Sequence, residues 1–161
     1  MEIIIYILAA IASFFLWSTI HEISHIAGAK LVSKVESWKI MPYPHFKDGN
    51  FRFGGMELKY KAENFPSKSR QAVFNLAPRI ANLISIGLLF VALALTGTFQ
   101  IIWLIVCFAG TIDLIVGSLG ISELSDLRKA ATNINISPWV LRISGLVLSA
   151  LSILIVLLIL L

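Results

Sequence analysis

Four long apolar runs constrain the fold of this chain more than any other feature of its sequence. They cover about residues 3–32, 71–95, 100–120 and 138–161, and each is long enough to cross a bilayer as a helix. The composition agrees, since 58% of the residues are hydrophobic and 14% are charged. We therefore predict an all-α polytopic membrane protein with four transmembrane helices, built as a single membrane-embedded domain over residues 1–161.

The ends of these runs predict how the chain is oriented. The first run lacks the charged start and the small-residue cleavage site of a signal peptide, so we expect it to be retained as a span. Eight of the thirteen Lys and Arg residues lie within residues 33–70, and Arg128 and Lys129 follow the third run, whereas the turn at 96–99 has none. The positive-inside rule then places both charged connections in the cytoplasm and both termini outside. We expect the membrane to be the plasma membrane of a prokaryote.

The net charge of +4 is explained by this orientation and by contact with the anionic headgroups of membrane lipids. Nothing in the distribution of charge indicates nucleic acid as a partner.

The first run contains a motif that combines metal-binding and acid–base residues. His21 and His25 stand four residues apart, so on a helix both imidazoles project from one face and can bind one Zn²⁺. Glu22 would then lie beside the open position of the metal, where a general base is needed. The alternative is a buried polar patch that holds two helices together, but this alternative explains neither the residue types nor their spacing.

The third run contains one carboxylate, Asp113. It precedes Ser122, at the predicted cytoplasmic end of its helix, by nine residues, and His21 precedes Lys30 by the same number. Equal depth predicts that Asp113 and the two histidines share one metal. An unpaired aspartate in hydrocarbon would cost several kcal/mol, so a partner is required. His45 and Asp126 are the alternative third ligands, and both lie in segments that water can reach.

The connection between the first two runs is predicted to contain a β-hairpin or a short sheet at about residues 48–61. Residues 51–53 and 56–60 alternate with a period of two about Gly54 and Gly55. Residues 41–44, with two prolines, are predicted to be extended. A strand here could add an extended substrate to its edge over the mouth of the site, or it could be a cover without a ligand.

The start of the second run carries polar residues within the apolar pattern. Pro78 removes a helical N–H and so frees a backbone carbonyl, and Asn82 lies at nearly the depth of His21. The Asn82 amide could hold a substrate carbonyl or make an interhelical hydrogen bond. We expect Arg79 to extend to the cytoplasmic interface. Gly28, after the motif, allows either close helix packing or a functional approach of backbone.

These residues together resemble the site-2 protease family of intramembrane zinc metalloproteases. The resemblance covers about residues 15–125. It includes the HEISH motif at 21–25, the Gly-Gly pair at 54–55 and Asp113. In addition, Ala77, Pro78 and Asn82 stand where the family has the glycine, proline and asparagine of a Gly-Pro-x-x-x-Asn pattern. It implies that His21, His25 and Asp113 bind zinc, that Glu22 is the general base, and that Asn82, Gly54 and Gly55 contact substrate. Ala77 replaces the first glycine of that pattern, and Asp113 lacks the glycine that usually follows the family's aspartate.

The expected function is the hydrolysis of peptide bonds in transmembrane or membrane-associated substrates, with Zn²⁺ as cofactor. Two alternatives come from other classes of protein. One is a catalytically idle relative that binds transmembrane helices as a chaperone or inhibitor. The other is a small metal-ion carrier, which would need a second polar path towards the outer face.

Overall fold

The computed structural model describes residues 2–41, 43–47, 49–52, 55–60, 66–96, 100–119 and 125–160. Within these residues there are five helices: α1 (Glu2–Val32), α2 (Lys68–Thr96), α3 (Gln100–Leu119), α4 (Asp126–Ile134) and α5 (Pro138–Leu160). By length and composition, α1, α2, α3 and α5 are apolar enough to cross a membrane. The four predicted helices are therefore confirmed, each with ends within three residues of the expected positions. Of the turn predicted at 96–99, Thr96 is the last residue of α2 and residues 97–99 lie outside the described residues.

The four long helices form a bundle that is apolar outside and partly polar inside. Helix α1 packs against α2 and α3, and α3 also packs against α5. Large aliphatic side chains such as Leu31 and Leu95 are more than three-quarters exposed, whereas Asn82 and Thr111 are buried. Lipid tails can cover the outer face without any polar contact, while the polar groups inside can be satisfied only by one another. The interior of this bundle is therefore where a polar site can be held.

Glycines set the distance between α1 and its neighbours. A Cβ atom at Gly28 would lie 2.7 Å from the Ala77 Cβ and 3.3 Å from the Phe74 Cα, so the missing side chain allows α1 and α2 to approach closely. In the same way Gly110 of α3 lies against the ring of Trp17, whose indole N–H donates to the Val106 carbonyl at 2.8 Å. Of the two interpretations of Gly28, the structure supports close packing.

Helix α4 is short and returns the chain to the end of the bundle from which α2 begins. Ser125 caps its N-terminus by accepting a hydrogen bond from the Arg128 N–H, and Asn135 ends it in the left-handed region with φ 56°. Its buried residues are Leu127, Ala130 and Ala131, and the helix packs against α2 and α5. The charged residues that follow the third run, Asp126, Arg128 and Lys129, therefore lie on a helix whose first residue is Asp126.

The strands between α1 and α2 pair differently from the prediction. Strand β1 (Val35–Met41) pairs antiparallel with β4 (Gly55–Tyr60), and β2 (His45–Lys47) pairs antiparallel with β3 (Asn50–Arg52). The hairpin predicted about Gly54 and Gly55 is thus wrong in its pairing, because residues 56–60 have residues 35–40 as partners. The tight turn instead contains Gly49 at φ 75°, within an Asp-Gly pair that is a strong hairpin signal. Gly54 itself lies outside the described residues.

The contact at Gly28 gives a prediction about stability. Gly28→Ala should destabilise the protein by about 1–3 kcal/mol, because the new methyl group cannot fit between α1 and α2 without a shift of one helix. Thermal unfolding in detergent, compared with the wild type, measures this loss.

Gly87→Ala is the matched control, since a Cβ atom at Gly87 in α2 meets nothing within 4 Å. That control should be neutral or slightly stabilising, as alanine favours a helix over glycine. Equal unfolding temperatures for the two variants would contradict close packing at Gly28.

Candidate metal centre

Three side chains from two helices converge at one point inside the bundle. The Nε2 atoms of His21 and His25 lie 3.4 Å and 3.2 Å from the Oδ2 atom of Asp126. The three potential ligand atoms all lie within 4.8 Å of one another. In the part of the chain that the structure describes, this is the one group of His, Cys, Asp and Glu side chains close enough together to hold a metal ion.

The regular geometry of α1 accounts for the position of both histidines. Residues four apart lie on the same face of a helix, and the rings of His21 and His25 have their centroids 5.1 Å apart. Both rings face the interior, where His25 is 5% exposed. The third group comes from α4, which is 101 residues further along the chain and carries Asp126 at its first position.

A backbone carbonyl fixes the orientation of His25. Its Nδ1 lies 3.2 Å from the Phe74 carbonyl oxygen. Because a carbonyl can only accept, Nδ1 must carry the hydrogen, which in a neutral imidazole leaves Nε2 with a lone pair. In an α-helix the N–H of residue 78 would donate to the carbonyl of Phe74, but residue 78 is proline. Pro78 therefore leaves this carbonyl free, as the sequence predicts, and the structure shows that His25 occupies it.

The arrangement of His25 and Asp126 requires a positive species between them. The Nε2 lone pair of His25 faces a carboxylate oxygen at 3.2 Å, so two acceptors point at each other unless a proton or a metal cation joins them. Ligand atoms about 2 Å from a tetrahedral zinc ion lie roughly 3.3 Å from one another. The two observed nitrogen-to-oxygen distances, 3.4 Å and 3.2 Å, fit this spacing. The residues present therefore fit a metal ion.

The Asp126 carboxyl is held in the charged form that a metal ligand needs. Burial by itself would raise its pKa, but the hydrogen bonds and ion pairs that His21 and His25 make with it when a proton joins each ring to the carboxylate outweigh burial and lower the pKa below its usual range. At neutral pH Asp126 is accordingly a carboxylate, and both of its histidine partners stabilise that charge.

Asp113 lies beside this group but is held by other partners. Its Oδ2 atom is 3.7 Å from Nδ1 of His21, so α1 and α3 bring these two residues close together. Arg79 donates from Nη1 to the Asp113 carbonyl at 2.9 Å and lies 3.4 Å from its carboxylate, which also accepts from the Asn82 amide. The metal-ligand role that we predicted for Asp113 therefore fits Asp126 better, since only Asp126 approaches both histidines through Nε2.

Two polar residues of α2 contact Asp113, and one of them, Arg79, differs from the prediction. Arg79 does not extend to an interface, because its side chain is 13% exposed and pairs with Asp113. Its guanidinium group fits a notch at Gly117 of α3, where any Cβ atom would overlap it. Asn82 is fully buried, and its amide donates to Asp113. Asn82 thus makes the interhelical hydrogen bond that was the alternative to a substrate-facing position.

The loop residues singled out in the sequence lie apart from the three converging side chains. The Nδ1 atom of His45 donates to the Tyr43 carbonyl at 2.9 Å, and His45 pairs with Arg52 across β2 and β3. Gly55 pairs with Met41 and faces the ring of His45. His45 is not a member of the metal-binding group, and a substrate contact by Gly55 remains a prediction.

One cavity adjoins the centre, and a second cleft lies behind Phe74, whose carbonyl contacts His25. An apolar cavity of about 1030 Å³ lies between α1, α3 and α5, and its polar lining includes His21, Glu22 and Asp113. A more polar cleft of about 600 Å³ lies between β4, the start of α2 and α4, and is lined by Phe74 and Arg128 among others. Glu22 is 8% exposed and reaches the first of these cavities, so a molecule lying there would meet its carboxylate.

Comparison of the chain with family models, with curated proteins and with solved structures finds no match. What the centre can do is therefore argued from its own residues.

The geometry predicts which variants lose metal. His25→Ala and Asp126→Asn should each remove a ligand, with a loss of affinity larger than the roughly 10–100-fold that follows loss of an outer partner. Metal content per chain after dialysis, together with calorimetric titration of zinc, measures the effect.

His45→Ala is the matched control, because this histidine belongs to the strands and should leave the metal content unchanged. If His45→Ala lost metal while Asp126→Asn kept it, the assignment of the centre would be wrong.

Proposed function

We propose that this protein is a membrane-embedded zinc metalloprotease that hydrolyses peptide bonds in transmembrane or membrane-associated substrates. The observation that carries the proposal is the convergence of His21 Nε2 and His25 Nε2 on the Asp126 Oδ2 atom, at 3.4 Å and 3.2 Å, next to Glu22, which lines an apolar cavity. Two imidazoles and one carboxylate are a ligand set that catalytic zinc uses, leaving one position open. The sequence resemblance to the site-2 protease family supports the same activity.

The residues divide the chemistry between them. His21, His25 and Asp126 would hold the ion, which when bound supplies a Lewis acid that polarises a carbonyl and acidifies a water molecule. Glu22 accepts the proton of the attacking water as its oxygen bonds to the carbonyl carbon. Glu22 then returns that proton to the nitrogen as the carbon–nitrogen bond breaks. Glu22 follows His21 directly on α1, so the base and a ligand keep a fixed separation.

The apolar cavity supports a membrane segment as substrate. Its walls are formed mainly by aliphatic and aromatic side chains, among them Phe14, Trp17, Leu104 and Phe108, and its polar lining includes His21 and Glu22. A lipid-embedded helix can enter such a space without loss of hydration, whereas a hydrophilic peptide cannot. A helix must unwind locally to expose a peptide bond, which favours substrates with Gly, Pro or Asn near the cleavage point.

The orientation in the membrane follows from the charge distribution. We propose that the end of the bundle with the strands and α4 faces the cytoplasm, and that its Lys and Arg residues contact anionic headgroups. Water and the released product would then exchange on that side, where the polar cleft lies.

Replacement of the proposed base tests the activity directly. Glu22→Gln should retain metal, because Glu22 is not a ligand, and should lower the rate of cleavage by about 10²–10⁴-fold. The assay is cleavage of a panel of transmembrane peptides by purified protein in detergent or vesicles.

Glu36→Gln, which changes an exposed glutamate of β1, is the control for loss of a charge and should retain full activity. A Glu22→Gln variant that cleaves within about threefold of the wild type would remove Glu22 from the role of base. A wild-type protein that binds zinc and helices but cleaves no peptide would instead favour the idle, helix-binding alternative.

The cavity makes a separate prediction about substrate binding. Ala10→Phe should place a ring within the apolar cavity and raise KM for a transmembrane substrate roughly tenfold, a loss of about 1.4 kcal/mol of binding. Ala12→Phe adds the same ring at an exposed position of α1 that does not line the cavity, so its KM should match the wild type. Equal KM values for both variants would show that substrate does not use this space.

A further inference from the structure

The two nitrogen atoms of His21 face two different carboxylates. Nε2 lies 3.4 Å from Asp126, and Nδ1 lies 3.7 Å from Asp113. The two nitrogens of an imidazole ring point in different directions, so an ion bound at Nε2 with His25 and Asp126 leaves Asp113 at the other edge of the ring. Asp113 is therefore placed to act on the histidine and not on the ion.

The Nδ1 atom of His21 needs an acceptor. It is buried and, within the described ranges, has no hydrogen-bond partner, because the Asp113 oxygen lies 3.7 Å away, about 0.5 Å beyond the ordinary range of an N–H···O hydrogen bond. When Nε2 gives its lone pair to a metal, Nδ1 carries the hydrogen of the neutral ring. A buried N–H is stabilised only if an acceptor reaches it, and Asp113 is the acceptor that faces it.

The partners of Asp113 fix its carboxylate and oppose its use as a ligand. The Asn82 amide and the Arg79 guanidinium both donate to Oδ2, the same oxygen that faces His21. Arg79 also holds the Asp113 backbone carbonyl, and Gly117 leaves the room that its guanidinium needs. A metal cation at this oxygen would be repelled by the nearby guanidinium charge, whereas a histidine N–H would not.

We propose that Asp113 is a positioning residue, which accepts a hydrogen bond from Nδ1–H of His21 and so directs the Nε2 lone pair at the metal. This inference rests on the proposed metal centre. The two histidines are then oriented in parallel ways, His25 by the Phe74 carbonyl and His21 by the Asp113 carboxylate. Such outer partners fix the tautomer and the ring orientation of a metal-binding histidine and make it a stronger ligand.

The experiment compares Asp113→Asn, Asp113→Ala and Asp126→Asn in the full-length protein by titration with Co²⁺ and Zn²⁺. Asp113→Asn should bind one ion per chain with an unchanged cobalt absorption spectrum. Its affinity should fall less than that of Asp113→Ala, because an amide oxygen can still accept from Nδ1–H. Asp113→Ala should bind about 10–100-fold more weakly than the wild type. Asp126→Asn should change the cobalt spectrum or abolish it.

Thermal unfolding of the metal-free variants separates positioning from a role in folding, since a purely structural residue would lower stability without this graded loss of affinity. If an Asp113 variant does not fold, Asn82→Ala tests the same positioning of His21 by Asp113, because it removes a donor that holds the carboxylate in place. This variant should weaken cobalt binding without altering the spectrum.

A changed cobalt spectrum in Asp113→Asn would make Asp113 a ligand. Affinities within twofold of the wild type for both Asp113 variants would remove the positioning role.

The two proposals fail in different measurements. A wild-type protein that binds cobalt but cleaves no peptide would end the protease proposal and leave the role of Asp113 intact. A wild-type protein that takes up no metal would end both, and this outcome is seen without any variant.

Discussion

The hydrogen bond from His25 to the Phe74 carbonyl is the interaction on which the arrangement of the site depends. It exists because of two absences in the sequence: Pro78 has no N–H to occupy this carbonyl, and Gly28 has no side chain to hold α2 away from α1. Together they bring an acceptor to Nδ1 of His25 and leave Nε2 directed at Asp126. The free Phe74 carbonyl of α2 thereby determines which ring nitrogen of His25, on α1, can bind a metal.

Because the surroundings of the site are apolar, its polar groups depend on one another for hydrogen bonds and ion pairs. Asn82 and Arg79 of α2 hold Asp113 of α3, which in turn faces His21 of α1. Asp126 arrives from α4 and meets both histidines. Three long helices and one short helix are thus connected through a small number of polar contacts, which fixes their relative positions more specifically than apolar packing does.

Much of this fold could be predicted from the sequence, because a long apolar run identifies a segment that can cross a membrane as a helix. The ends of the helices follow directly, although α2 begins at Lys68, since polar residues can continue a helix beyond the apolar run. Alternation likewise shows that residues 56–60 form a strand, but it carries no information about the partner, which is β1. The Asp-Gly pair at 48–49 was the available signal for the turn.

The parts of the site that depend on residues close together in the sequence could be predicted. The spacing of His21 and His25 fixes their common face, and Pro78 points to a free carbonyl. Asp126 could not be chosen over Asp113 by depth, because depth compares spans and Asp126 lies on a helix that folds back beneath them. The pairing of Arg79 with Asp113 was missed for a similar reason. An arginine near the end of a span can extend to the membrane interface or pair with an acidic residue inside the bundle, and its position in the sequence does not distinguish these two environments.

The position of Arg79 has a consequence for the net charge of the interior. Glu22, Asp113 and Asp126, when ionised, bring three negative charges into a region of low polarity, and Arg79 returns one positive charge. The remaining two negative charges are the number that one divalent cation neutralises. An empty centre would have to take up protons in place of the ion, because uncompensated charge is costly away from water. Metal uptake would then be an exchange of one divalent ion for protons, and acidification of the surrounding water would favour release of the ion.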